Sequence, residues 1–195
     1  MGATFENIQL RTEKDIHSVV NAITASMLDK GYTICDKDEA TYTFALARND
    51  GSDWYAIYSD IIGDLEDSKE LLEPLSKALD CDALMVLCFD SDFLLLNLVN
   101  ASEQLDIVTG VGDFESYGID SIDDIELWHD KIDAFDEFKS IIESASDDFE
   151  CAEDVLSDIA EPLVLPIEQS FASLDYLDDL LGNEIKSAQF IYFTK

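Results

Sequence analysis

Residues 83–99 read ALMVLCFDSDFLLLNLV, which is two apolar runs on either side of Asp90-Ser91-Asp92. Each run has the length of a β-strand, and neither shows the alternation of polar and apolar residues that is typical of a strand with one face in water. The two runs therefore predict a pair of central strands that are buried on both faces. Because aspartate and serine are common turn residues, the short segment between the runs predicts a tight hairpin turn.

Outward from this pair, helical and alternating patterns divide the rest of the chain. Apolar residues at helical spacing predict five helices, within residues 16–27, 71–79, 128–142, 155–159 and 167–181. Apolar or alternating stretches predict further strands, within residues 4–10, 32–35, 42–46, 54–58, 107–111 and 188–193. The predicted order is β-α-ββ(β)-α-ββ(β)-α-α-α-β. Strand pairs between helices predict a single α+β domain over residues 1–195, with helices packed on a mainly antiparallel sheet.

The net charge limits the classes of function. The chain of 195 residues has 44 acidic and 11 basic residues, a formal net charge of −33, yet 47% of it is apolar, which is too much for a disordered acidic tail. So few basic residues argue against binding to nucleic acid or to an anionic membrane surface. The apolar runs are too short to span a bilayer, and the first residues lack a secretory pattern. We therefore expect a cytoplasmic protein.

The negative charge is concentrated in one quarter of the chain. Residues 113–161 contain 18 acidic and 2 basic residues, a net charge of −16. The predicted helix in this segment keeps its apolar stripe, and most of its acidic residues lie off the stripe. Two interpretations stay open, a surface that keeps the protein in solution and a surface that attracts a basic partner. Adaptation to high salt is a third, favoured by 28 Asp against 16 Glu but not by nine Lys against two Arg. The partner-binding candidates on this segment are Asp130, Asp133, Asp136 and Glu137.

The predicted hairpin at 42–58 contributes aromatic candidates for a partner surface. Trp54, Tyr55 and Tyr58 alternate between the two faces of their strand, so we expect at least one of them to face outward. Exposed aromatic residues are common anchors in protein interfaces. Trp54 and Tyr55 are therefore further partner-binding candidates, with burial under a helix as the open alternative.

Asp90 and Asp92 are the candidate metal ligands. Two carboxylates two residues apart at the end of an apolar strand can share a divalent cation, an arrangement found in metal-dependent enzymes. The sequence has no glycine-rich phosphate-binding loop beside them, and turn formation explains the same residues. A metal-dependent enzyme is therefore the alternative to an interaction protein.

Other motifs carry less weight. Asp113 to Asp124 partly resembles a calcium loop, with oxygen ligands at positions 1, 3 and 12 and glycine at position 6, but position 5 is Tyr117. The two histidines, His17 and His129, lie in no catalytic motif. The four cysteines form no CxxC pair, so we expect reduced thiols. We predict no cofactor.

Three blocks of sequence resemble recurrent blocks in an uncharacterised family of small acidic bacterial proteins. They are WYAIYSD at 54–60, CFDSDFLLLNLVN at 88–100 and LPIEQS at 165–170. The resemblance covers most of the chain and implies no catalytic residue. In size and charge alone, the protein is also similar to bacterial immunity proteins, which neutralise basic toxin domains.

From these observations we expect a non-enzymatic acidic interaction protein with a basic protein partner. An immunity-type inhibitor of a basic toxin and a mimic of nucleic-acid charge are the two forms that fit the charge. Association of the protein with itself stays an open alternative.

Overall fold

An antiparallel sheet of eight strands organises the fold. The computed structural model describes residues 2–49, 51–62, 65–117, 119, 122–147, 149–182, 185 and 187–195, without the side chains of 65–67 and 115. The spatial order is β2-β8-β3-β4-β1-β5-β6-β7, and every neighbouring pair is antiparallel. The strands are β1 (Phe5–Arg11), β2 (Thr33–Ile34), β3 (Tyr42–Ala47), β4 (Trp54–Ser59), β5 (Asp82–Phe89), β6 (Phe93–Asn100), β7 (Leu105–Gly112) and β8 (Ala188–Thr194). The predicted α+β class with a mainly antiparallel sheet is confirmed.

Helices cover both faces of this sheet. They are α1 (Ile16–Asp29), α2 (Leu65–Leu79), α3 (Phe135–Asp147), α4 (Ala152–Leu163), α5 (Ile167–Ser170) and α6 (Leu177–Leu180). Helices α1 and α2 pack on one face, and helices α3 and α4 pack on the other face beside the shorter α5 and α6. None of the described helices combines the length and the apolar character that crossing a bilayer requires.

Strands β5 and β6 are buried on both faces, as the two apolar runs predict. Ala83, Met85 and Leu87 of β5 face α1 and α2, and Leu84 and Val86 face α3 and α4. Because successive side chains of a strand point to opposite faces, a strand between two helical layers has apolar residues at nearly every position, and Asn97 of β6 is a buried exception.

The predicted helix over residues 128–142 is wrong in its first part. Residues Ile125–Trp128 form a 3₁₀ turn, and α3 begins only at Phe135. The Asp124 carboxylate accepts a hydrogen bond from the Glu126 amide at 3.0 Å and so caps the 3₁₀ turn. Trp128 nevertheless packs in the same apolar cluster as Phe135, so the apolar stripe correctly predicted burial but not continuous helix.

The predicted helix over residues 167–181 is also interrupted. Helix α5 ends at Ser170, and α6 begins at Leu177 after a 3₁₀ turn. The reason lies in the central strand β1, where the Asn7 side chain donates hydrogen bonds of 2.9 Å to the carbonyl oxygens of Ser170 and Ala172. These carbonyls therefore point at the sheet, and they do not continue the hydrogen-bond ladder of a helix.

We predict that Asn7→Ala lowers the free energy of unfolding by about 3 kcal/mol, because it leaves two buried carbonyl groups without a donor. Urea denaturation followed by circular dichroism measures the change. Asn21→Ala, on the exposed side of α1, is the matched control and is expected to stay within about 0.5 kcal/mol of the native protein. A loss below about 1 kcal/mol for Asn7→Ala would contradict an anchoring role for this amide.

Candidate functional site

The segment Asp90-Ser91-Asp92 forms the turn between β5 and β6. The Asp92 amide donates to the Phe89 carbonyl at 2.9 Å, and both Asp90 and Ser91 have positive φ angles, of 48° and 59°. Two successive residues of positive φ are typical of a type I′ turn, whose twist matches that of the flanking strands. The predicted tight hairpin turn is therefore confirmed.

Contacts from other segments hold this turn in place. The Asp90 carboxylate accepts from the Gly2 amide at 2.7 Å, and the Ser91 hydroxyl donates to the Glu153 carboxylate at 2.6 Å. The Asp92 carboxylate accepts from the Tyr117 hydroxyl at 2.9 Å. The turn therefore ties the N-terminal segment, the start of α4 and the segment after β7 together.

Asp90 and Asp92 gain no further metal-ligating side chain in the described part of the chain. Among those residues, no group of three or more His, Cys, Asp or Glu side chains is arranged to hold a metal ion. The calcium-like segment is only partly described, because residues 118, 120 and 121 lie outside the described residues. At its ends, the Asp113 carboxylate accepts from the Ser116 hydroxyl and the Asp124 carboxylate caps the next turn. Both ends thus have local structural roles.

Three aromatic rings cluster beside the turn. The rings of Phe89 and Phe93, which pair directly across β5 and β6, stack at 6.1 Å, and the Tyr117 ring lies 4.9 Å from Phe89 and 5.0 Å from Phe93. Phe93 is buried, whereas Phe89 and Tyr117 are each 41% exposed. The rings of Phe89 and Tyr117 are therefore partly exposed to solvent and pack against the buried ring of Phe93.

Carboxylates surround these exposed rings. The hydrogen bond to Asp92 raises the pKa of Tyr117, and the negative charges of Asp90 and Asp113 raise it further. No ion pair between described residues involves Asp90, Asp92 or Asp113. We call Phe89, Asp90, Asp92, Asp113 and Tyr117 the aromatic–acidic patch. Sequence analysis missed its two rings, because Phe89 ends a strand predicted to be buried and Tyr117 lies in a segment predicted as loop.

Asp130, Asp133, Asp136 and Glu137 form a second acidic surface, which we call the α3 acidic surface. All four side chains are exposed. Asp136 and Glu137 lie in the first turn of α3, where a negative charge also interacts favourably with the helix dipole, by about 0.3–1 kcal/mol for each residue. Part of this charge therefore stabilises the helix itself.

The cations of the same segment are already paired. Lys131 contacts the Glu103 carboxylate, and Lys139 contacts Glu126 and Glu143. Within the described residues, Asp133, Asp136 and Glu137 belong to no ion pair, and Asp130 has only His129 as its partner. Three of the four carboxylates of the α3 acidic surface therefore have no direct ion-pair partner among the described residues, and the fourth is paired with a histidine.

Trp54 and Tyr55 are buried, so of the two open alternatives the structure has burial under helices and not an outward-facing aromatic residue. Each is 4% exposed, Tyr58 is fully buried, and they pack on opposite faces of the sheet under helices on both sides. The chain's two arginines also lie over them, with the Arg11 guanidinium 6.0 Å from the Trp54 ring and the Arg48 guanidinium 4.6 Å from the Tyr55 ring.

The structure separates the candidate residues into two regions. Trp54 and Asp133 line the same small cavity, of about 30 Å³, near Arg11 and Asp82. Asp90 and Asp92 lie at the other end of the sheet, since Arg11 pairs with Asp82 at the start of β5 and the turn follows the end of β5. The α3 acidic surface and the aromatic–acidic patch therefore share no contact region.

One histidine has a carboxylate partner, and the cysteines are not joined in disulfides. His129 is exposed, and its Nδ1 lies 2.9 Å from the Asp130 carboxylate, which raises the pKa of His129. All four cysteines are free thiols, in agreement with the prediction. Cys81 and Cys88 are buried, and burial raises the pKa of each thiol to about 12.

Glu6 of β1 is a carboxylate that sequence analysis missed, because a single acidic residue inside a strand pattern carries no signal. The side chain is only partly exposed, and burial raises the pKa of Glu6 to about 7, with a smaller contribution from the negative charge of Asp175. Near neutral pH, Glu6 is therefore partly protonated.

Comparison with known proteins identifies no relative, because no family model, curated protein or solved structure matches the chain.

We predict that the native protein loses stability as the pH rises because Glu6 becomes charged, and that Glu6→Gln does not show this loss. A carboxyl group with a folded-state pKa of about 7 and an unfolded value of 4.5 binds its proton more tightly in the folded protein. Its stabilising contribution is therefore complete below pH 4.5 and is lost as the pH rises through 7. Between pH 5 and pH 8, the free energy of unfolding of Glu6→Gln is expected to rise by about 2 kcal/mol relative to that of the native protein. This value is smaller than the full pKa difference would give, because Glu6 is partly exposed and its charge is screened by solvent.

Urea denaturation across this pH range measures the difference from the native protein. The exposed Glu13→Gln is the matched control, since it removes the same charge from the residues that follow β1. Parallel pH profiles for the native protein and Glu6→Gln would contradict the raised pKa.

Proposed function

We propose that the protein is a non-enzymatic interaction protein that binds a basic protein through its acidic surface. The observation that carries the proposal is the α3 acidic surface, where Asp133, Asp136 and Glu137 are exposed and belong to no described ion pair. Asp136 and Glu137 lie on α3, whose opposite side packs into the core with Phe138 fully buried, and Asp130 and Asp133 lie in the turns that precede the helix. The charges of Asp136 and Glu137 are therefore held toward solvent by a packed helix.

Electrostatics gives the reason why such a surface suits a basic partner. Complementary charge accelerates association and discriminates against neutral and acidic competitors. Repulsion among like charges also lowers the stability of the folded protein, so a net charge of −33 has an energetic cost. Binding to a basic protein would relieve this repulsion, whereas solubility alone requires far less charge.

Two forms of the proposal differ in what the partner normally binds. As an immunity-type inhibitor, the protein would cover a basic toxin domain. As a mimic of nucleic-acid charge, it would occupy a site that normally binds phosphates. The similarity in size and charge to bacterial immunity proteins supports the first form and, with it, a cytoplasmic location in a bacterium. Competition by double-stranded DNA, compared with competition by heparin, distinguishes the two, because a dedicated nucleic-acid site prefers the duplex whereas a merely basic surface binds either polyanion.

No specific observation on the described residues favours the alternative, a metal-dependent enzyme that uses Asp90 and Asp92. Both carboxylates of the Asp90–Asp92 turn accept hydrogen bonds from the protein, and the described residues add no third ligand to them. Metal binding there stays a prediction from the sequence, and we do not propose it as the function.

We predict that neutralising the α3 acidic surface weakens binding to the basic partner at least tenfold at 150 mM salt. The variant combines Asp130→Asn, Asp133→Asn, Asp136→Asn and Glu137→Gln. Its effect follows from the loss of about 1.4 kcal/mol or more of interaction across four charged contacts. Proteins captured from a lysate of the source organism are identified by mass spectrometry and then purified, and affinity is measured by calorimetry at 50 and 300 mM NaCl.

The matched control removes the same number of charges from another surface. Glu13→Gln, Asp29→Asn, Asp36→Asn and Asp38→Asn change four exposed residues, so both variants have the same net charge. The control is expected to keep most of the affinity. Equal losses in both variants would show that only net charge matters, and binding that is insensitive to salt would contradict the proposal.

A further inference from the structure

The aromatic–acidic patch differs from the rest of the acidic surface because it offers apolar area together with charge. Phe89 and Tyr117 are each 41% exposed and meet at 4.9 Å at an interplanar angle of 61°. Phe93 supports both rings from below and is only 3% exposed. The rings are therefore held in place, and their exposed faces need no rearrangement to accept a partner.

The charges around the rings select a cation. Asp92 is fixed by the Tyr117 hydroxyl, Asp90 by the Gly2 amide and Asp113 by Ser116. Each carboxylate keeps lone pairs for a further donor, and no described lysine or arginine is paired with any of them. An anionic group of a partner would be repelled here, and a neutral group would leave the negative charge of the carboxylates unbalanced.

We propose that this patch binds an arginine side chain presented by a basic partner protein, with the guanidinium against the rings of Phe89 and Tyr117 and its N–H groups toward the carboxylates of the turn. A guanidinium is planar, stacks on aromatic faces and presents several donors to carboxylates, whereas the ammonium of lysine is more strongly hydrated. The inference rests on the proposed function only in taking the arginine to belong to a basic protein.

The patch and the α3 acidic surface are distinct sites. Phe93 belongs to the sheet face covered by α1 and α2, and Phe135 at the start of α3 belongs to the opposite face. The patch also lies at the turn end of β5, away from the cavity that Asp133 lines. Changes at one site therefore leave the other intact, which allows separate tests.

The test uses acetyl-Gly-Arg-Gly-amide as a probe, with the same peptide containing citrulline as its neutral isostere. Titration into the isotope-labelled full chain is followed by NMR. We expect saturable shifts of the ring resonances of Phe89 and Tyr117 with the arginine peptide and none with the citrulline peptide. The double variant Phe89→Leu, Tyr117→Leu is expected to weaken binding about tenfold, because two contacts between the cation and a ring are lost.

A further variant serves as the control. Phe190→Leu removes a ring that is 37% exposed on β8, away from the patch, and is expected to bind like the native protein. Shifts spread over the carboxylates without change at the two rings, or unchanged affinity in the double variant, would overturn the inference.

Failure of this inference is distinguishable from failure of the proposed function. If the basic partner binds in a salt-dependent manner while the arginine peptide leaves the two rings unaffected, the patch assignment is wrong and the proposed function stands. If the arginine peptide binds at the rings while no basic partner binds the native protein, the proposed function is wrong and the patch assignment stands.

Discussion

Burial of strands β5 and β6 on both faces is the constraint on which the rest of the structure depends. Leu84 and Val86 point to one side and Met85 and Leu87 to the other, so a single helical layer could not cover this strand. The chain supplies α1 and α2 for one face and α3 and α4 for the other. Because both layers are amphipathic, nearly all the acidic residues must lie on the outer surface.

This arrangement explains how a chain of net charge −33 stays folded. Apolar burial contributes about 25 cal/mol for each Å² removed from water, and the buried residues form extensive clusters on both sides of the sheet. Several of the few cationic side chains make specific contacts. Lys131 and Lys139, the two lysines of the most acidic segment, are both paired with carboxylates, and Arg11 and Arg48 lie over the aromatic residues of β4. Little positive charge is left to compensate the exposed acids of α3.

The local patterns of the sequence predict the elements well where local forces decide them. The two apolar runs predict β5 and β6, and the Asp90–Asp92 turn follows from residue types that tolerate positive φ. The break after Ser170 was not predictable, because Asn7 causes it from 163 residues away in sequence. The break before Phe135 was hidden for a related reason, since a 3₁₀ turn and a helix can bury the same apolar residues.

The candidate sites were less predictable than the fold, because exposure depends on what packs over a residue. Trp54 and Tyr55 have the composition of an interface anchor, yet helices on both sides bury them. Phe89 has the pattern of a core residue, yet it ends at the turn and stays 41% exposed. No local pattern separates these two cases. For Asp136 and Glu137 of α3, the amphipathic pattern correctly indicated exposure, because the apolar residues of this helix recur at helical spacing on its opposite side.

The separation of the two acidic regions limits how one partner can use both. Strand β5 spans about 25 Å between its ends, which is roughly three Debye lengths at physiological salt. Charge on the α3 acidic surface therefore contributes little to the electrostatic potential at the patch, and each region interacts mainly with groups in direct contact with it. A standard interface buries about 800 Å² on each partner, so a compact domain centred on one region leaves the other at its rim or outside it. The α3 acidic surface, which lacks an aromatic anchor, is suited to fast salt-dependent association. The patch, with two supported rings, is suited to slowing dissociation.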